Sequence, residues 1–194
     1  MNVFFAVISA ALSFISMVPY LRDIFRKKTK PHPLSFLVWS ITSAVWTAIA
    51  VNAGAGVAAL LGVVDILLNF LIFILALREK QKWVVKKFDV VCFVVAMVSL
   101  VLWLFERNFA GISVTLITVA EVVGFMPTIR KSWSHPFSET LSSWILTLLA
   151  SILFIFALET YSFVTLANDV AWIPCYAILI LVLIVRRKKI GVKK

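Results

Sequence analysis

Long apolar segments follow one another along nearly the whole chain, and short groups of charged residues separate them. A helix needs about 20 largely apolar residues to cross roughly 30 Å of hydrocarbon. The pattern predicts membrane-spanning helices at Val3 to Leu21, Leu34 to Val51, Val57 to Leu77, Phe88 to Phe105, Phe109 to Ile129, Leu141 to Leu158 and Phe163 to Val185. We therefore expect an all-α integral membrane protein with seven transmembrane helices.

The basic residues alternate between connections. All Lys and Arg except Arg107 follow the first, third and fifth predicted spans or lie in the C-terminal tail. Because cytoplasmic loops are enriched in Lys and Arg, we expect the N-terminus outside the cell and the C-terminus in the cytoplasm. We expect the membrane to be the cell membrane, which is the inner membrane of a prokaryote. Topology thus accounts for the net charge of +10. The expected partner is the lipid bilayer, and we expect no nucleic-acid partner.

An internal repeat is visible around two prolines. Segment 17–22, with Pro19, is similar to segment 125–130, with Pro127, and His-Pro-Leu-Ser at 32–35 is similar to His-Pro-Phe-Ser at 135–138. The helices that follow carry Trp and hydroxyl side chains at identical spacing: Ser35, Trp39, Thr42 and Trp46 in one, and Thr140, Trp144, Thr147 and Ser151 in the other. This spacing places each set along one stripe of its helix.

The repeats divide the chain into a first three-helix repeat at 1–80, a linker helix at 81–108 and a second three-helix repeat with a basic tail at 109–194. Because one span lies between them, both repeats enter the membrane in the same orientation. We expect a 3+1+3 architecture of two parallel repeats. One chain holds both, so an oligomer is compatible with the sequence but is not required to complete a pathway.

These features resemble the SWEET sugar transporters, the SemiSWEETs and the PQ-loop proteins. The resemblance covers nearly the whole chain in helix count, parallel repeat, outside N-terminus and a Pro near the inner end of the first helix of each repeat. Tyr20 and Thr128 follow these prolines where the PQ-loop motif has Gln. The resemblance implies a SWEET-like transporter fold. It also implies that Asn69 and Asn168, from the third helix of each repeat, bind substrate together with nearby aromatic rings.

Three acidic residues lie in the interior of predicted spans, away from their ends, and no Lys or Arg lies at their depth: Asp65, Glu121 and Asp169. A charge at mid-bilayer costs about 2.5 to 3.5 kcal/mol even on a lenient scale. Each acid must therefore be neutral, hydrogen-bonded, or matched by a proton or a cationic ligand. Glu121 occupies the place equivalent to Ser13 in the other repeat. This asymmetry favours proton coupling or a cationic substrate; the alternative is a protonated Glu that hydrogen-bonds a neighbouring helix.

Amides and aromatic rings are the candidate substrate-binding groups around a central cavity: Asn69, Asn168, Trp39, Trp144, Trp172 and Tyr176. The alternative is that the amides join helices. Pro19, Pro127 and Pro174 each remove a backbone donor and are candidate hinges, with a static bend as the alternative.

We expect a membrane transporter that moves a small polar solute by alternating access, coupled to protons or specific for a cation. The alternative is a SWEET-fold receptor or sorting protein, like the KDEL receptors, that binds a ligand without transporting it. We expect no enzyme, because no nucleophile with a base is apparent. No cofactor is implied, and the spacing of His32 and His135 does not suggest a metal site. Cys92 and Cys175 are predicted to be buried thiols.

The topology predicts which positions react with a membrane-impermeant thiol reagent. Cysteines introduced at Asn52 and Tyr161 should be labelled from outside intact cells, whereas cysteines at Lys82 and Ser134 should be labelled only after permeabilisation. The reverse pattern would contradict the topology.

Overall fold

The computed structural model of the protein describes residues 2–29, 31, 33–78, 87–105 and 107–191. In these ranges the chain forms seven α-helices and three short 3₁₀-helices, with no β-strand. The α-helices are α1 (Asn2–Phe25), α2 (Pro33–Asn52), α3 (Ala59–Arg78), α4 (Lys87–Phe105), α5 (Ala110–Ser134), α6 (Leu141–Ala157) and α7 (Phe163–Gly191). The 3₁₀-helices are Gly56–Ala58, Arg107–Phe109 and Pro136–Ser138. The prediction of an all-helical protein is confirmed.

Two helical segments are long and apolar enough to cross a membrane by length and composition, Val3–Phe25 and Phe163–Gly191. Three further apolar helical segments are shorter: Phe36–Asn52, Ala110–Met126 and Leu141–Ala157. The third predicted segment begins at Val57, but α3 begins two residues later because a 3₁₀ turn precedes it. Gly54 and Gly56 lead into that turn with φ of 84° and 61°, a conformation that glycine adopts without steric cost.

The helices pack as two similar groups of three. α3 packs against both α1 and α2, and α7 packs against both α5 and α6. We call α1–α3 the first triplet and α5–α7 the second triplet. Between the triplets, α1 packs on α6 and α2 packs on α5, while α4 lies against α5 and α2.

The connections meet at two ends of the bundle. At one end the guanidinium of Arg187 donates a hydrogen bond of 3.0 Å to the carbonyl of Pro136. At the other end the Val57 N–H donates to the carboxylate of Glu159 over 3.3 Å. We call the end that contains Arg187 and Pro136 the basic end, and the end that contains Val57 and Glu159 the opposite end.

Large apolar side chains lie on the outer surface of the bundle, and some polar side chains lie inside it. Leu67, Phe105 and Leu181 on its outer surface are 65%, 86% and 62% exposed. Inside, Ser9 and Ser16 are fully buried. Exposed apolar side chains on this scale mark surfaces that contact lipid or other protein.

Hydroxyl groups join the two triplets where α1 meets α6. Ser9 donates to the carbonyl of Ala150 over 2.8 Å, and Thr147 donates to the hydroxyl of Ser16 over 3.1 Å. These bonds satisfy polar groups that would otherwise be buried without partners.

Some sequence expectations fall outside the described residues: His32, Lys30, Lys80, Lys82, Lys86, Lys193 and Lys194. The side chains of Cys92 and Pro127 also lie outside the described part of the chain, although both residues are within helices. Cys175 is a free, buried thiol, as predicted. Pro19 and Pro174 lie inside α1 and α7, and both helices continue past them.

Gly62 allows α3 to approach α2 closely. A Cβ at this position would overlap the side-chain oxygen of Thr47. That side chain is β-branched and stiff, and it donates a hydrogen bond of 2.6 Å to the carbonyl of Ser43. The helices must therefore separate if residue 62 gains a side chain.

We expect Gly62→Ala to lower the free energy of unfolding by about 1 to 3 kcal/mol through overpacking, measured by denaturant unfolding in detergent. Thr47→Ala removes the overlapping atoms and should restore stability in the double variant. Gly111→Ala is the matched control, because its Cβ would meet only a ring carbon of Phe163 at 3.9 Å. Equal stability of the two glycine variants would contradict the close contact.

Candidate functional site

A cavity of about 130 Å³ lies between the two triplets, and all the α-helices except α4 line it. The predicted substrate and coupling residues are all among its lining: Asn69, Asn168, Trp39, Trp144, Trp172, Tyr176, Asp65, Glu121 and Asp169. The described prolines of the predicted hinges, Pro19 and Pro174, are not. An engineered protein cavity of about 150 Å³ holds benzene, so the space suits a small solute.

Glu121 lies near the middle of α5 and is only 5% exposed. Its Oε2 accepts hydrogen bonds from Asn168 Nδ2 over 2.9 Å and from Trp172 Nε1 over 3.0 Å. The hydroxyl of Thr42 on α2 donates instead to the carbonyl of Trp39, over 3.1 Å. Hydrogen bonds to an ionised acceptor are roughly twice as strong as neutral ones. The Glu121 carboxyl therefore joins α5 to α7.

The two asparagines have different surroundings. Asn168 uses its Nδ2 for Glu121 and for Thr118, the latter over 3.2 Å, so both of its donors point to α5. This geometry matches the alternative in which the amide joins helices. Asn69 is half-buried and lines the cavity, and among the described residues no hydrogen bond to its amide is found. Its amide is therefore open to a solute.

The three acids share one electrostatic environment. Asp65 interacts with Glu121, and Asp169 interacts with both. Among the residues that the structure describes, the one ion pair is between Arg22 and Asp23, over 3.4 Å. No described Lys or Arg therefore neutralises the cavity acids, and each ionisation is opposed by the neighbouring carboxyls. No group of three His, Cys, Asp or Glu in the described ranges is arranged to hold a metal ion.

Aromatic rings form the wall of the cavity toward the basic end. Trp172 and Tyr176 stack with 5.0 Å between ring centroids and 18° between planes. The Phe125 ring meets Trp172 edge-on at 5.1 Å, and Trp39 does so from the first triplet at 6.4 Å. Trp144 lies 5.9 Å from Tyr176. Such pairs contribute about 0.5 to 1.5 kcal/mol each beyond burial, so this wall is well ordered.

An apolar cluster closes the cavity toward the opposite end. Its members come from both triplets and include Trp46 and Phe154, whose rings are 5.5 Å apart. Ala6 and Ile117 also belong to it. On α1, Ala6 lies about two turns before the cavity residue Ser13, and on α5, Ile117 lies about one turn before the cavity residue Glu121. The cluster therefore separates the cavity from the opposite end.

Comparisons with protein-family models, with curated proteins and with solved structures find no match. Function is therefore inferred from the cavity, its charge and its surroundings.

Several lining residues were not assigned to the site by the sequence. Phe125 lies one helical turn beyond Glu121, so its spacing carried the signal. Trp46 belongs to the predicted Trp and hydroxyl stripe of α2 but was not assigned a role. Glu139 does not line the cavity but holds a residue that does: it is 4% exposed and accepts a hydrogen bond of 3.2 Å from Trp144 Nε1. It was missed because it lies in a connection, outside every predicted span.

A double-mutant cycle measures the charge on Glu121. Trp172→Phe keeps an aromatic ring against Tyr176 but removes the N–H donor, and Glu121→Gln keeps an oxygen acceptor without charge. Two N–H donors from α7 face this carboxyl, so an ionised Glu121 should couple to Trp172 by about 1.5 to 3 kcal/mol in unfolding free energy, and a protonated one by about 0.5 to 1.5 kcal/mol.

Trp133→Phe is the control, because Trp133 is 53% exposed and does not line the cavity. It should show no coupling to Glu121. A Trp172 coupling below about 0.5 kcal/mol would contradict an ionised Glu121.

Proposed function

We propose that the protein is an integral membrane transporter that moves a small polar solute by alternating access. The observation that carries this proposal is the cavity between the triplets, lined by three acids that no described basic residue neutralises. Buried ionisable groups without partners are costly, and inside membrane proteins they mark solute or proton pathways.

We propose that all seven α-helices span the bilayer, with the N-terminus outside and the C-terminus in the cytoplasm. The apolar outer surface and the two long apolar helices, α1 and α7, support this placement. The concentration of Lys and Arg at the basic end supports the orientation.

The 3+1+3 arrangement, with residues 81–108 as the linker between repeats 1–80 and 109–194, is supported by the packing order. In each triplet the third helix packs against the other two. The two largest helix contacts between the triplets pair equivalent helices: the first helix of one triplet packs on the second helix of the other, extensively for α1 with α6 and over a smaller area for α5 with α2. A two-fold axis along the membrane normal produces such an exchange. A relationship to the SWEET and PQ-loop proteins would predict this packing order of the two triplets.

We propose that contacts between the triplets serve as the seals at the two ends of the cavity during transport. At the opposite end the proposed seal is the apolar cluster that contains Trp46 and Phe154. At the basic end Thr140 of the second triplet donates a hydrogen bond of 2.7 Å to Asp23 of the first. Rocking one triplet against the other would open one seal while it tightens the other, which is the movement that alternating access requires.

The charge of the cavity sets the coupling. No described Lys or Arg pairs with Glu121, so a proton or a cationic solute would neutralise its charge when it ionises. Its repeat equivalent is Ser13, which also lines the cavity, so only one side supplies this charge. Transport coupled to a proton, or specific for a cation, follows from this asymmetry.

Reconstituted protein on a solid-supported membrane should give a transient current or a pH-dependent flux for at least one class among sugars, amino acids, vitamins and organic cations. Glu121→Gln should abolish the dependence of flux on the pH gradient while counterflow of the solute persists, because it removes titration and keeps hydrogen-bonding capacity. Glu159→Gln, an exposed acid at the opposite end, is the matched control and should behave as wild type.

Flux that is independent of pH and unchanged by neutral replacement of all three acids would make the acids structural and the protein a uniporter. Saturable binding of a peptide or protein ligand without flux of any solute would assign the chain to the receptor alternative.

A further inference from the structure

Two polar groups in the cavity have no hydrogen-bond partner. Trp46 is 7% exposed and Ser143 is 3% exposed, and both line the cavity. Among the described residues, neither Trp46 Nε1 nor Ser143 Oγ is within hydrogen-bond distance of a partner. Buried polar groups are almost always satisfied, so each such exception needs an explanation. An indole N–H only donates, so Trp46 requires an acceptor. Its Nε1 is buried in this structure, and a small rotation of the ring, which lines the cavity, would bring the N–H to an acceptor bound there.

The acids, in contrast to the Trp46 N–H, require a positively charged group from a ligand. Asp65, Glu121 and Asp169 face one space and lie close enough to interact electrostatically. The hydrogen bonds to Glu121 come from neutral donors, Asn168 and Trp172. These donors stabilise a carboxylate but do not cancel its charge. A ligand with positive charge would do so.

The rings around the acids favour a cation that is weakly hydrated. Trp39, Trp144, Trp172 and Tyr176 all line the same space. A cation over an aromatic face is attracted by the ring quadrupole, and the attraction is stronger when water is excluded. Alkylammonium groups satisfy both requirements, since they carry charge on an apolar surface.

We propose that the solute is a small organic ammonium compound that also carries an oxygen acceptor, such as a hydroxyl or carboxylate. This inference rests on the proposed function, because it takes the cavity as the solute site. Its ammonium group lies among the acids and rings, and its oxygen accepts the Trp46 N–H. By comparison with the benzene-sized cavity, a ligand of roughly five to eight non-hydrogen atoms fits.

Three probes of nearly the same shape separate the effect of the positive charge from the effect of the oxygen acceptor. Choline has both charge and hydroxyl, 3,3-dimethylbutan-1-ol replaces the quaternary nitrogen by carbon, and propyltrimethylammonium replaces the hydroxyl by a methyl group. Binding to the full-length protein in detergent is measured by equilibrium dialysis, with free ligand determined directly. Choline should bind at least about tenfold more tightly than the neutral alcohol. It should bind about threefold to tenfold more tightly than propyltrimethylammonium.

Trp46→Phe tests the acceptor contact. Phenylalanine retains a ring against Phe154 but lacks the N–H, so the preference for choline over propyltrimethylammonium should disappear. The preference over the neutral alcohol should remain, because the acids are untouched. Trp133→Phe, the same substitution at an exposed site outside the cavity, should leave both preferences unchanged.

Equal affinity for choline and the neutral alcohol would overturn the proposal. So would the absence of binding by all of choline, tetramethylammonium, ethanolamine and glycine betaine. An unchanged preference for choline over propyltrimethylammonium in Trp46→Phe would overturn the acceptor contact. Flux of an uncharged solute without ammonium binding would remove this inference and leave transport intact. Ammonium binding without flux in sealed vesicles would support the inference and overturn transport.

Discussion

A carboxyl group buried within a helical bundle needs hydrogen-bond donors, and here the donors come from a neighbouring helix. Glu121 projects from α5, and Asn168 and Trp172 reach it from α7. The hydrogen bond from Trp172 also fixes its ring, which stacks on Tyr176 and meets Trp39 of the first triplet edge-on. The α5–α7 contact, the aromatic wall and the cavity charge all depend on this carboxyl.

The contacts between the triplets differ in chemistry at the two ends of the cavity. Separating the apolar cluster at the opposite end would expose side chains such as Ile117 and Phe154, which are fully buried, at a cost that scales with apolar area. The hydrogen bond between Thr140 and Asp23 at the basic end can be exchanged for bonds to water, so its net contribution is small. Trp39 of the first triplet also meets Trp172 of the second toward the basic end, so in the proposed cycle opening either end separates packed rings.

The sequence predicted every α-helix to within a few residues at its start, because each apolar segment is bounded by charged or turn-forming residues. The ends of α1, α5 and α7 were less accurate. Their basic and polar last turns continue the backbone hydrogen bonding of the helix after the apolar segment ends, and an apolar pattern does not report this. The delayed start of α3 depends on the left-handed backbone at Gly54 and Gly56, which apolar periodicity also does not report.

The predicted site residues were found together because intramembrane polarity is rare enough to be informative. What the sequence left open was which partner each one has. Asn69 and Asn168 were assigned the same role by repeat register, yet only Asn168 is held by donor contacts to α5 in the described structure. The difference follows from Glu121, for which the first triplet has no counterpart. Glu139 and the free N–H of Trp46 depend on tertiary contacts that no local pattern encodes.

By repeat register Ser13 occupies the place of Glu121, and this difference between the triplets affects how many carboxyls can face the solute. An assembly of two identical three-helix units would present every acid twice, and the symmetry would force an even number of carboxyls around the axis. In a single chain with two unlike triplets, each acid occurs once, so an odd number can face the solute. Under the proposed function, the presence of both triplets in one chain would let a single carboxyl bind one proton or one monovalent ligand per cycle.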